Sequence, residues 1–352
     1  MKTMFGPDSR VAIVCRGGPE NGPFSAMATK LIAESLIRKG IKLSAIYASS
    51  GSVPTALLGC TGDFMKLCNI WPNLGPEDIV GKVSKPRTLM RLLRRESILT
   101  SHVLRNLIQK NWNLDKIFAS DAINIKFPAV DFLSAEYIIF SNKNPKHKRW
   151  FLEGVLGSMG LVPFLQPQII DNPVAAELIS ADKVVKNAML LIDGGFKGNM
   201  LLEEAMRDGF NIIFLVDIHG LKPTETDLTM RYHWPNLVRG GLHILSNAND
   251  VKQFQLTDRA NEEIMVRDEL VDFSTQLSAE QADGLNRIID RMNNGRLRLG
   301  DKKKAEIIMV SNEEHSTLFN FAKFERAEVL ELMSAGYEGA KRVLVDIGLE
   351  TR

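Results

Sequence analysis

Cysteine is scarce in this sequence: Cys15, Cys60 and Cys68 are the only three in 352 residues. An odd, small number offers no disulfide framework and fits a reducing compartment. No Cys/His spacing resembles a zinc site, and the expectation is a protein with no metal and no cofactor. Neither sign of charge dominates, since 44 Lys and Arg against 42 Asp and Glu leave a formal net charge of +2. Global electrostatics therefore point to neither nucleic acid nor an acidic partner. No apolar run reaches the length needed to span a bilayer. The stretch Met1 to Asp8 breaks at Gly6-Pro7 before any long apolar segment, which argues against a Sec signal peptide. The expectation is a cytoplasmic protein, with signal-independent secretion left open. Repeats, low-complexity tracts and Pro/Gly/Ser-rich linkers are absent too, so one domain is expected.

What is present is an alternation of apolar runs and helical periodicity. Val11 to Cys15 reads as a buried strand, Arg16 to Gly22 as a loop by composition, and Ser25 to Lys39 as a helix with Met27, Leu31, Ile32, Leu36 and Ile37 at helical spacing. Leu43 to Tyr47 is a second buried strand, followed by a cramped turn and the helix-like run Thr55 to Leu58. This order calls for a parallel sheet with helices on its faces. Residues 61–120 read as mostly helical, and Lys82, Lys85, Arg87, Arg91, Arg94 and Arg95 cluster there beside Leu89, Met90, Leu92 and Leu93. Ala129 to Ser141 looks strand-rich and Phe151 to Met159 helical. Strands are expected at Ala188 to Ile192, Asn211 to Val216 and Ala305 to Val310. Helices are expected at Leu201 to Arg207, over much of Val251 to Met292, and at Arg326 to Leu349.

The strand–turn–helix at Ala48-Ser49-Ser50-Gly51-Ser52 has the layout of a nucleophile elbow with Ser50 at its apex. The usual Gly-x-Ser-x-Gly keeps small residues where the turn has no room; here Ala48 and Ser52 stand in the two glycine positions. A serine needs a base to take its proton and donors aimed at the oxygen that becomes negative. The loop Gly17 to Gly22 and Asp193, which ends a strand, are candidates for these roles. In a parallel sheet they would collect at the carboxyl edge, where α/β proteins place their sites.

Taken in order, the glycine loop after the first strand, the elbow and Asp193-Gly194-Gly195 resemble the patatin-like phospholipase family. The segments Gly157 to Pro167 and Lys197-Gly198-Asn199, and the closing helix with Ala335-Gly336-Tyr337, extend the resemblance from about Val11 to Leu344. It implies a single three-layer α/β domain over residues 8–350, with a mostly parallel central sheet and helices on both faces. Residues 61–120 would form a helical cap, and 250–350 a helical part packed on the same domain. It also implies a serine acyl hydrolase of phospholipase A or lysophospholipase type, cleaving lipid carboxylic esters. Ser50 would be the nucleophile and Asp193 the general base and acid. The backbone of Gly17, Gly18 and Gly51 would form the oxyanion hole, supported by Asn21, Gly22, Gly194 and Gly195. The partner would be a phospholipid or other acyl-ester lipid, with peripheral membrane contact through Lys82 to Arg95.

Against the family loop, Pro19 replaces a glycine and Asn21 a basic residue. Proline has no N–H, and losing one oxyanion donor costs about 10²–10³ in rate. The Gly18 N–H, the Gly51 N–H or the Asn21 amide is a candidate to compensate, and Arg16 could replace the missing positive charge only with a shifted loop. Two other readings stay open. One is a patatin-like lipid- or protein-binding protein with degraded chemistry. The other is a Ser–Asp–His triad enzyme using His219 or His243. The loop lacks the spacing of a dinucleotide or P-loop phosphate cradle. Ser158, in Gly-Ser-Met-Gly, lacks the elbow spacing and reads as packing.

Overall fold

A computed structural model describes residues 5–6, 8–80, 101–119, 121–162, 165–171, 188–198, 200–219, 234–294, 304–312 and 325–351. Its centre is an eight-stranded mixed, mostly parallel sheet. The strands are β1 (Val11–Cys15), β2 (Leu43–Ala48), β3 (Asn124–Asp131), β4 (Glu136–Ser141), β5 (Gln168–Asp171), β6 (Ala188–Asp193), β7 (Ile212–Val216) and β8 (Glu306–Val310). They lie in the order β5-β6-β3-β2-β1-β7-β8, with β4 paired to β3. The block from β3 through β2, β1 and β7 to β8 is parallel. Its central strands, β1 and β7, are buried along their whole length, as continuous apolar runs in a two-sided sheet should be.

Alternate strand residues feed two cores. Val11, Ile13 and Cys15 pack on one face, with α1 (Asn21–Arg38), α2 (Val53–Gly59) and the Arg326–Asp346 helix contributing Phe24, Ile32, Leu57, Val329 and Leu332. Ala12, Val14, Ala45 and Tyr47 pack on the other, against Met200, Leu201, Leu202, Ala205 and Met206. That period of two, clearest in β1, β7 and β8, is what makes the fold three-layered. α1 and the Arg326–Asp346 helix meet at small residues: a Cβ on Gly336 would stand 2.2 Å from the Phe24 carbonyl oxygen. No described helix is long and apolar enough to cross a membrane.

The sheet departs from the sequence expectation in its β3-β4-β5-β6 half, which is antiparallel. The strand-rich segment is two strands joined by a tight turn at 132–135 containing no glycine. Ala135 adopts φ 56° there. The buried Asp131 carboxylate replaces the usual turn chemistry, accepting hydrogen bonds from the Leu133 and Ser134 N–H groups at 3.3 and 3.2 Å. α1 starts at Asn21, four residues before the expected helix. Pro23 fits its first turn, where the missing N–H is no loss.

Candidate active site

The topology places Ser50 beside Asp193. Lys126 pairs with Tyr47 of β2 and with Ser141 of β4, so β2 and β4 lie on opposite edges of β3. β2 stops, and three residues further along the same edge β6 pairs in the opposite direction, Ala129 with Asp193. The carboxyl ends of β2 and β6 therefore face each other head-on. The sequence suggested that Asp193 reaches the site from a strand running with the others. It arrives instead from an antiparallel strand.

Ser50 Oγ donates a hydrogen bond to Asp193 Oδ2 at 2.7 Å. The serine sits at φ 47°, in the left-handed region, directly after extended Ser49. Strain at a non-glycine residue is a mark of functional turns, and a nucleophile elbow holds its serine this way. A short 3-10 turn, Ser50–Ser52, leads into α2. Gly51 has no room for a side chain, because a Cβ there would lie 2.3 Å from the Gly18 carbonyl oxygen and 3.1 Å from Pro19 Cα. Gly22 is equally confined, with its would-be Cβ 2.8 Å from the Gly51 carbonyl oxygen and 2.6 Å from the Trp71 ring. The elbow and the glycine loop are thus in backbone contact.

Asp193 is buried, and desolvation raises its carboxyl pKa from 3.8 to about 6, against the lowering effect of its bonds to Ser50 and the Gly195 N–H. The Gly195 N–H donates to Oδ1 at 2.8 Å, so the two carboxylate oxygens have different partners and the rotamer is fixed. Gly194 packs directly on β3, where a Cβ would stand 2.5 Å from Pro128 Cγ. Glycine at 194 is therefore required by packing, and the backbone N–H of residue 195 holds the carboxylate.

In the loop, Gly18 has φ +123°, a conformation glycine tolerates best. Among the described residues, the N–H groups of Gly17 and Gly18 form no hydrogen bond within the protein. The two candidate substitutes for the missing basic residue are occupied elsewhere. Asn21 Nδ2 donates to the Gly17 carbonyl at 2.9 Å, and its Oδ1 accepts from the Ile218 N–H at 2.9 Å. Asn21 braces the loop against the end of β7. Arg16 is buried, with Nη1 2.9 Å from Asp217 Oδ2 and Nε 2.8 Å from Asp250 Oδ2. Both side chains are thus committed to holding the loop and the end of β7, which leaves the backbone N–H groups of Gly18 and Gly51 as the candidates to compensate for Pro19.

The Ser50 hydroxyl meets Asp193 directly, with no imidazole between them. His219 is buried with Nε2 3.9 Å from Glu20 Oε1, and its N–H donates to Asp217 Oδ1 at 3.4 Å. The His243 side chain and the basic stretch Lys82 to Arg95 lie outside the described residues. Ser158 is fully buried in the Phe151–Ser158 helix, and the three cysteines are free and buried.

Sequence reasoning missed several residues. Asp217 and Asp250 pair with Arg16 across more than 200 positions, a relation with no local signal. Glu20 folds its buried carboxylate over Gly18, Oε1 lying 2.9 Å from where a Cβ would be. Ser52 does more than fit a glycine position of the elbow, because its hydroxyl donates to the Arg16 carbonyl at 2.7 Å. Its presence where the elbow pattern has glycine was the available signal.

Fold and site together define an α/β protein with a serine–carboxylate pair at an elbow. No protein-family model matches the chain, and no curated protein sequence matches it. Solved structures do, among them VipD from Legionella pneumophila. The two are 11% identical, over 97% of this chain and 67% of that chain, with a TM-score of 0.41.

Proposed function

We propose that this protein is a serine acyl hydrolase acting on carboxylic esters of lipids, of phospholipase A or lysophospholipase type. The observation that carries the reading is the 2.7 Å hydrogen bond from Ser50 Oγ to a buried aspartate whose pKa is raised to about 6. A carboxylate at its ordinary pKa of about 3.9 is a weak base, and raising it brings it toward the range where general bases work.

Asp193 takes the Ser50 proton as Oγ bonds to the ester carbonyl carbon. The carbonyl oxygen becomes an oxyanion facing the free N–H groups of the glycine loop. Collapse breaks the carbon–oxygen bond to the alcohol, and Asp193 returns the proton to that oxygen. A water molecule, deprotonated by Asp193, then releases the fatty acid and restores Ser50. The sequence resemblance to patatin-like phospholipases supplies the lipid class of the ester.

A fluorophosphonate probe tests the reading. Expected is covalent labelling at Ser50 and fatty-acid release from lysophosphatidylcholine, both lost in Ser50→Ala and strongly reduced in Asp193→Asn. Absence of labelling on folded protein, under conditions that label a known serine hydrolase, rejects it.

A further inference from the structure

Ser52 occupies the second glycine position of the elbow, and its hydroxyl is fully buried. Its proton goes to the Arg16 carbonyl oxygen at 2.7 Å. With that proton committed, Ser52 Oγ accepts from Ser25 Oγ at 3.2 Å, and Ser25 in turn pairs with Thr55 Oγ1 at 2.9 Å. Ser25 and Thr55 are fully buried as well. Three buried hydroxyls, from α1, the Ser50–Ser52 turn and α2, thus meet between two carbonyls, with Ser52 on the Arg16 oxygen and Ser25 Oγ also 3.0 Å from the Gly22 oxygen.

That carbonyl belongs to the Arg16–Gly17 peptide. The peptide is a rigid plane in which C=O and N–H point in opposite directions. Whatever holds the Arg16 oxygen also sets the direction of the Gly17 N–H, one of the two loop donors with no partner of its own. The rest of Arg16 is fixed independently. Its N–H donates to the Val216 carbonyl at 3.0 Å, and its guanidinium is held by Asp217 and Asp250. Rotation of the Arg16–Gly17 peptide plane is a separate freedom at this junction, and the Ser52 hydroxyl restrains it. Glycine at this position has no hydroxyl with which to do so.

We infer that Ser52 is a positioning residue for the acyl-transfer site: through the Arg16 carbonyl it orients the Gly17 N–H toward its role at the developing oxyanion. This rests on the hydrolase reading above. It also gives a reason why a loop that has lost one backbone donor at Pro19 carries a serine at this elbow position: fewer donors make the orientation of each one matter more.

The test compares wild type, Ser52→Ala, Ser52→Gly and Ser52→Thr. Measurements are the rate of fluorophosphonate labelling, kcat and KM on a soluble monomeric ester, thermal unfolding, and amide exchange at Gly17. Misplacing a catalytic group by a fraction of the reacting distance costs roughly 10²-fold. Ser52→Ala and Ser52→Gly are therefore expected to lose about that factor in labelling and kcat with KM unchanged. The Gly17 N–H should exchange faster, while Ser52→Thr recovers most of the loss. If wild type is labelled and Ser52→Ala labels at the same rate, or if Gly17 exchange is unchanged, the inference is wrong and the hydrolase reading stands. A loss of kcat fully accounted for by the unfolded fraction also overturns it. A folded wild type that is never labelled removes both.

Discussion

Gly51 lies against Gly18 so closely that a methyl group on its α-carbon would stand 2.3 Å from the Gly18 carbonyl oxygen. The atoms that methyl would meet, the Gly18 carbonyl and Pro19 Cα, are backbone and cannot swing aside. Gly51→Ala must therefore push the elbow away from the glycine loop. Overpacking of this kind costs roughly 1–3 kcal/mol. A lower midpoint in urea is expected, together with a loss of Ser50 labelling larger than the unfolded fraction explains. Full labelling in this variant would show that the elbow and loop need not touch.

The raised pKa of Asp193 sets the pH dependence of hydrolysis. The base is the carboxylate, so the rate should follow its deprotonated fraction. It should fall about tenfold per unit below the pKa. An acid limb centred near pH 6 is expected in kcat/KM, with a plateau above it. A limb at the ordinary carboxyl value near 3.8 would mean that Asp193 is not desolvated as its burial requires.

The same shift acts on stability with the opposite benefit. In the folded protein Asp193 holds its proton up to about pH 6, and in the unfolded chain only to about 3.8. The folded state binds more protons through that window, so this group's contribution to stability falls as pH rises from about 4 to about 6 and stays low above it. Asp193→Asn does not titrate and loses nothing there. Its stability relative to wild type should rise across the window, by at most roughly 3 kcal/mol. Chemical unfolding of both proteins at pH 4 and pH 8 measures this; a constant difference would contradict it.

Arg16 neutralises two buried carboxylates, Asp217 and Asp250. Arg16→Ala takes the guanidinium away from both carboxylates. Removing one member of a buried ion pair costs roughly 3–5 kcal/mol. Severe destabilisation is expected at neutral pH, measured by thermal unfolding, with partial recovery in the triple variant that also carries Asp217→Asn and Asp250→Asn. A mild effect of Arg16→Ala would show that water reaches this cluster.

The parallel half of the fold was readable because buried parallel strands are continuous apolar runs: Val11 to Cys15, Leu43 to Tyr47 and Asn211 to Val216 each became a strand within one residue of expectation. The antiparallel half was less legible. β5 is four residues after a proline-rich segment, and the β3–β4 turn uses Asp131 rather than glycine or proline. The Ser50–Asp193 pair was suggested by motif order, although the strand direction that brings them together was not. Asn21 and Arg16 show the limit from the other side. Both were candidates by sequence position, and both are engaged by Asp217, Ile218 and Asp250, partners almost 200 residues away or more. Long-range satisfaction of buried polar groups leaves no periodic trace in a sequence.

The head-on meeting of β2 and β6 also orders events during synthesis. Ser50 and Asp193 are 143 residues apart, and β2, β3 and β4 all leave the ribosome before β6 exists. A growing chain with those strands in place carries the elbow serine as an ordinary alcohol with nothing to receive its proton. The pair comes into being only when β6 docks along the free end of β3. The serine–aspartate pairing is therefore a late event of synthesis, set by β6 and not by the elbow itself.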